Sequence, residues 1–128
     1  MSSSKVTPVI IDCDPGVDDA WAIISLLKSE EKFNIKVKGI TTVDGNTSVH
    51  HGSQNSLLIL ESLDRMDVPV FMGASSALVH KRYYTEFHGV DGMADFYKEK
   101  PSLDLLQKKL AVEALKEMIE EVRMFCLE

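Results

Sequence analysis

The sequence predicts an α/β fold, an open parallel sheet with flanking helices, and three observations predict it. Short apolar, β-branched runs at residues 9–13, 35–42 and 68–72 alternate with segments whose apolar residues recur at helical spacing. The links between them are short, which yields parallel strand–helix–strand crossovers rather than hairpins. Polar, ligand-competent residues gather just after each predicted strand, the edge at which open α/β sheets hold ligands.

Each element follows from its own residues. Residues 9–11 read Val-Ile-Ile, and the strand continues through Cys13 until Pro15-Gly16 breaks it. From Val17 to about residue 27, Ala20, Ile23, Ile24 and Leu27 keep helical spacing. Asp18 and Asp19 then fall in the first helical turn, where carboxylates suit free N–H groups and the positive end of the dipole. Residues 35–42 form the second strand, almost unbroken in apolar and β-branched character. Asp44-Gly45-Asn46 turns the chain, and Thr47 or Ser48 caps a helix running to about residue 63.

Val68-Pro69-Val70-Phe71-Met72 is a short third strand. Residues 73–101 lack periodicity and are long for a structureless connection, the mark of a functional or mobile loop. Ser102 is expected to cap a long amphipathic helix whose stripe is Leu103, Leu106, Leu110, Ala114, Met118 and Val122. Residues 123–128 are expected to begin a fourth strand.

Bulk composition excludes several function classes. The 128 residues suffice for one compact domain, and 45% hydrophobic against 27% charged residues is a globular balance. A net charge of -6 argues against a nucleic-acid surface, which needs clustered Lys and Arg. Lys98, Lys100, Lys108 and Lys109 are interspersed with acids and read as a solvated face. No stretch is long and apolar enough to span a membrane, and the first residues lack the pattern of a signal peptide. Cys13 and Cys126 match neither a zinc spacing nor a disulfide framework, so both are expected as reduced thiols in a cytoplasmic protein.

The acids are what this reading must explain. Asp12, Asp14, Asp18 and Asp19 crowd a Pro-Gly turn between two apolar segments. Like charges so close repel, and a buried carboxylate is costly unless paired, hydrogen-bonded or metal-bound. Helix capping accounts for one or two of them. A hard divalent cation such as Ca²⁺ or Mg²⁺, or a polyol, accounts for all four, and a carboxylate beside an activated water is a general base.

The stretch Asp12-Cys13-Asp14-Pro15-Gly16-Val17-Asp18-Asp19-Ala20 closely resembles the signature of the inosine/uridine-preferring nucleoside hydrolases. The resemblance continues at Ile40-Thr41-Thr42-Val43-Asp44-Gly45-Asn46, at His88-Gly89-Val90-Asp91-Gly92-Met93 and at Ala111-Val112-Glu113-Ala114-Leu115, in the family's order and spacing. It implies a Rossmann-like nucleoside hydrolase fold, a ribonucleoside substrate and cleavage of the N-glycosidic bond to free base and ribose. It implies a Ca²⁺ bound by Asp14 and Asp19, with Asp14 also deprotonating the attacking water. By the same resemblance Asp18 and Asn46 meet the ribose side, Asp12 supports the site from behind, and His88 approaches the base. The complete protein is expected to be a homo-oligomer.

Departures from the family pattern shape the remaining expectations. Ala94 stands where the family usually has Gly, and Ala77 where Pro is common. Family domains are more than twice this length, so residues 1–128 are expected to be the N-terminal part of a single nucleoside hydrolase domain, with an incomplete sheet. Hydrolysis by this chain alone is then expected to be weak or absent, the alternative being a non-catalytic fragment that acts by binding a partner or metal. His50, His51 and His80 are read as surface residues, Trp21 as helix packing, and Phe87 and Met93 as pocket wall or loop anchors.

Overall fold

A computed structural model describes residues 5–79 and 87–127 of the chain. Strand β1 (Thr7–Cys13) is followed by helix α1 (Val17–Lys28), a single-turn helix α2 (Glu30–Phe33) and strand β2 (Ile35–Thr42). Helix α3 (Val49–Ser62) leads to strand β3 (Val70–Met72), and a 3-10 turn (Leu103–Leu105) precedes helix α4 (Ala111–Leu127). The strands pair parallel in the order β1-β2-β3. An irregularity at Val9/Ile10 lets β2 slip by one residue, after which Asp12 lies opposite Thr41 and Cys13 opposite Thr42. The α/β open parallel sheet of the sequence reading is therefore the observed fold.

Side-chain alternation separates the two faces of the sheet. Thr42 Oγ1 shares a 2.8 Å hydrogen bond with Ser53 Oγ on α3, so Ile40 and Thr42 face α1 and α3. Gly39 faces the other way, and a Cβ there would lie 3.1 Å from Met118 Sδ of α4. The main core lies under α1 and α3, where Ile23, Ile40, Leu57, Leu60 and Val70 are all but fully buried. Val68 belongs to this core but sits outside the ladder, so β3 is shorter than residues 68–72 suggested.

The C-terminal half departs most from expectation. Ser102 does cap, its hydroxyl accepting from the Asp104 amide, but only a three-residue 3-10 turn follows. Leu105 and Leu110 stay exposed, and α4 starts at Ala111, so the apolar stripe beginning at Leu103 is divided between two elements. The expected fourth strand is not formed, because helix α4 runs on through Leu127. Helix α2 was not anticipated; it closes on Asn34 in the left-handed conformation at φ 51.

Candidate functional site

The acidic turn joins the end of β1 to the start of α1. Asp14 leaves the strand and lies against Gly45, where any side chain would collide with it: a Cβ built on Gly45 falls 2.0 Å from Asp14 Oδ2. That close approach lets Asp14 Oδ2 accept the Asn46 amide at 2.8 Å. Asn46 Nδ2 in turn donates to the Asp14 carbonyl at 3.2 Å and to Asp19 Oδ2 at 3.3 Å. Asp19 Oδ2 also accepts the Gly16 amide at 3.1 Å, closing the first turn of α1 on itself. Asp14 after β1, Asp19 in the first turn of α1 and Asn46 after β2 thus form one hydrogen-bonded unit.

In that unit each carboxylate uses Oδ2 for orientation, and neither Oδ1 accepts a hydrogen bond from a described residue. Burial pushes the Asp19 carboxyl above its usual range; the Gly16 amide and Asn46 oppose this, while the charges of Asp14 and Asp18 add to it. Cys13, half-buried between Asp12 and Asp14, has its thiol pushed up to about 12, first by burial and then by Asp19, Asp12 and Asp14. Such a thiol stays protonated and is no nucleophile at neutral pH. The excess negative potential at the turn is the condition a divalent cation would relieve.

The other predicted residues are placed differently. Asp18 is exposed on the first turn of α1, near enough to act on Asp19 electrostatically. Asp12 turns to β2, where its Oδ1 accepts the Thr41 hydroxyl at 2.6 Å. His88 is exposed, edge-to-face with Phe87 at 4.7 Å between ring centroids, and no hydrogen bond joins it to the acids. Among the described residues no group of three or more His, Cys, Asp or Glu side chains is arranged to hold a metal.

Three surface or packing expectations are corrected. Lys100 is not part of a solvated face; its Nζ lies 2.7 Å from Asp91 Oδ2, with side-chain exposures of 14% and 7%. His51 is half-buried, its Nδ1 3.3 Å from both Thr47 Oγ1 and the Val90 carbonyl. Trp21 does not pack against the sheet, being 69% exposed. His50 is exposed as expected, and Met93 packs against the core as a loop anchor. His80 and Ala77's downstream neighbours at 80–86 lie outside the described residues.

Two residues that organise the site were missed, Asn55 and Asp95, each of which holds a loop in place. Gly45 and Thr47 were read only as turn and cap residues, whereas Gly45 makes room for Asp14 and Thr47 Oγ1 donates to the Val90 carbonyl. Asn55 had a legible signal, since it is a polar side chain on the same face of α3 as Gly52 and Ile59. Away from this edge, a cavity of about 280 Å³ opens among Leu27, Lys28, Glu30, Glu31, Leu63 and Arg65. It lies toward the amino ends of the strands, the side opposite the acids.

Comparison with known proteins bears on this geometry. The family model described as inosine-uridine preferring nucleoside hydrolase matches residues 9–127. Uridine nucleosidase 1 of Arabidopsis thaliana is 37% identical over 119 residues, covering 91% of this chain and 34% of the relative. A pyrimidine-specific ribonucleoside hydrolase of Salmonella typhimurium is 36% identical over 115 residues, covering 89% and 36%. Among solved structures, a plant nucleoside hydrolase superposes with a TM-score of 0.80 at 33% identity, covering 91% of this chain and 36% of its own. An inosine-guanosine nucleoside hydrolase gives 0.79 at 32%, covering 91% and 35%. The chain spans about a third of the length of the relatives it matches.

Proposed function

The chain belongs to the inosine-uridine preferring nucleoside hydrolase family, and on that premise we propose that its protein cleaves the N-glycosidic bond of ribonucleosides. One observation supports this above the others: Asp14, Asp19 and Asn46 are joined at the carboxyl ends of β1 and β2, with one oxygen of each carboxylate left for a ligand. Residues 1–128 are read as the N-terminal part of a single domain of that kind.

In this reading Asp14 Oδ1 takes a proton from the attacking water, whose oxygen bonds to the anomeric carbon. The carbon–nitrogen bond breaks with its electron pair going to the base, which takes a proton from solvent while Asp14 returns its own to solvent. His88, on the 87–101 loop, is the residue we place on the base side. The sugar passes through an oxocarbenium-like state, so nearby carboxylates stabilise the developing positive charge. Asp18 and Asn46 are assigned to the ribose, Asp12 to holding the strand end against Thr41. A site built to hydrogen-bond a ribose hydroxyl would disfavour the deoxy sugar, which leaves those partners unpaired.

Asp14 and Asp19 fit a Ca²⁺ site in their donor chemistry, since both present a carboxylate oxygen in a region of excess negative potential. When bound, the cation would supply Lewis acidity and an anchor for the ribose hydroxyls. Two carboxylates give at most three or four of the roughly six to eight oxygens Ca²⁺ takes, so other ligands must complete it. A cytoplasmic homo-oligomer is the reading we attach to the whole protein; among the described residues, no helix is long and apolar enough to cross a membrane.

The relatives carry names for uridine, pyrimidine and inosine–guanosine cleavage, so the assay uses both inosine and uridine. Free ribose should be released by the whole protein and not by its Asp14→Ala variant. Undiminished release by Asp14→Ala would remove Asp14 from its role.

A further inference from the structure

We propose that Asn55 and Lys100 form a positioning clamp that holds the His88 loop and the acidic turn in one register. Asn55 is wholly buried on α3 and uses all of its amide. Its Nδ2 donates to the Pro15 carbonyl at 2.9 Å and to the Asp91 carbonyl at 2.8 Å. Its Oδ1 accepts from Lys100 Nζ at 3.0 Å, and the same ammonium pairs with Asp91 Oδ2 at 2.7 Å. Pro15 follows the candidate base Asp14 directly, and Asp91 belongs to the loop that carries His88.

On the loop side the clamp grips a rigid unit. Asp91 Oδ1 accepts the amides of Met93 and Asp95 at 2.7 and 2.9 Å. Asp95 returns two bonds, from the amides of Val90 and Asp91 at 3.1 and 3.0 Å. The Ala94 amide donates to the His88 carbonyl at 2.6 Å, so the His88 backbone is fixed to this reciprocal pair of aspartates. A continuous path of bonds therefore runs from the peptide beside Asp14, through Asn55, to the peptide of His88.

Ion-pair burial gives Lys100 its leverage. A buried pair is strongly weakened when one partner is removed, because the other charge is left in a poor solvent. Asp91 without Lys100 would draw in water or shift, and it shares Asn55 with the acidic turn. Loosening on one side must then reach the other. The consequence for catalysis rests on the hydrolase reading above; the coupling itself does not, and its readout is independent of turnover.

The test is amide hydrogen exchange, followed by NMR on the 128-residue chain. Lys100→Met should accelerate Met93 and Asp95 about tenfold or more, and accelerate Gly16 and Asn46 as well, while Ile40 in β2 is unchanged. Lys100→Arg should restore both sets. In an Asn55→Ala background, Lys100→Met should no longer move Gly16 and Asn46. Acceleration of Met93 and Asp95 with Gly16 and Asn46 unmoved would overturn the clamp, leaving a staple local to the loop. Equal acceleration of Ile40 would overturn it too, as general destabilisation. If Lys100→Met does not fold, Lys100→Gln, shorter but still a donor, carries the same comparison.

Discussion

Gly45→Ala is the substitution on which the geometry of the acidic turn can be tested most severely. The methyl group would arrive 2.0 Å from Asp14 Oδ2, 2.3 Å from its Cβ and 2.4 Å from its Cγ, against 3.4–4 Å for ordinary contact. Gly45 is not among the residues with positive φ, so the cost is steric and not conformational. Rotating the carboxylate relieves only part of the clash, since Asp14 Cβ is itself too close. The turn must open, and the bond from the Asn46 amide to Asp14 Oδ2 is the contact that opening breaks.

Two terms set the size. Overpacking costs about 1–3 kcal/mol. A hydrogen bond to a charged group contributes about 1.5–3 kcal/mol, and the partial exposure of this one argues for the low end. The lower values together give about 2.5 kcal/mol, a large share of the stability of a domain this size. With a urea slope of about 1–3 kcal/mol/M, the unfolding midpoint should fall by about 1 M. In the whole protein, displacing the base by an ångström should lower ribose release by about a hundredfold. A Gly45→Ala chain with the wild-type urea midpoint and an unmoved Asn46 amide resonance would refute the reasoning.

Other consequences can be checked separately. Calorimetry should show Ca²⁺ binding to the chain that is weakened by Asp14→Asn and by Asp19→Asn; tight binding indifferent to both would remove them as ligands. Ala94 sits in the left-handed region at φ 60, so Ala94→Gly should raise stability by about 1 kcal/mol in urea unfolding, and a loss would contradict the strain. Asp91 is raised by burial but held below the usual carboxylate range by Lys100 and the amides of Met93 and Asp95. Its stabilisation is therefore present above the unfolded value near pH 4 and lost as pH falls through the folded value; Lys100→Met should move that loss to higher pH in acid-unfolding curves. Glu30 follows the same sign: burial opposes it, but the Val37 amide and Arg65 prevail, so Glu30→Gln should flatten part of the acid limb.

How much of this was legible depended on whether the signal was local. The bounds of β2, and an N-cap at Thr47 or Ser48 that the structure places on Ser48, could be read because a single element's own residues decide them. The split between the 3-10 turn and α4 could not. Leu103 to Val122 keeps helical spacing, yet the Gln107 amide is drawn to the Val70 carbonyl of β3, which interrupts the helix before it starts. Lys100 failed for a related reason. Its neighbours Lys98 and Glu99 are solvated, and only the fold brings Asp91 and Asn55 to its ammonium. Trp21 failed in the opposite sense: Ile23 and Leu27 fill the buried face of α1, and the indole lies off it.

The four aspartates, alike in sequence, are separated by what backs each of them. Asp12 is still in the strand, and its face of the sheet gives it Thr41. Asp18 is exposed on the first turn of α1, beside Asp19. Asp14 and Asp19 are the two whose Oδ2 is fixed by backbone amides, of Asn46 and Gly16, and bridged by one asparagine side chain. An amide that pins one oxygen orients the other without neutralising it, which is the arrangement a base or a cation ligand needs. Substituting Asn46 should then loosen the link between the two acids while the backbone amides of Asn46 and Gly16 stay on their Oδ2 atoms. Asn46→Ala leaves the two charges in place but deletes the bond to Asp19 and the bond to the Asp14 carbonyl. It should weaken Ca²⁺ binding about as much as Asp19→Asn does, although no charge is lost. Calorimetry on the two variants side by side decides it: wild-type affinity in Asn46→Ala would mean that the acids are placed by their own backbone, and that the asparagine serves the substrate alone.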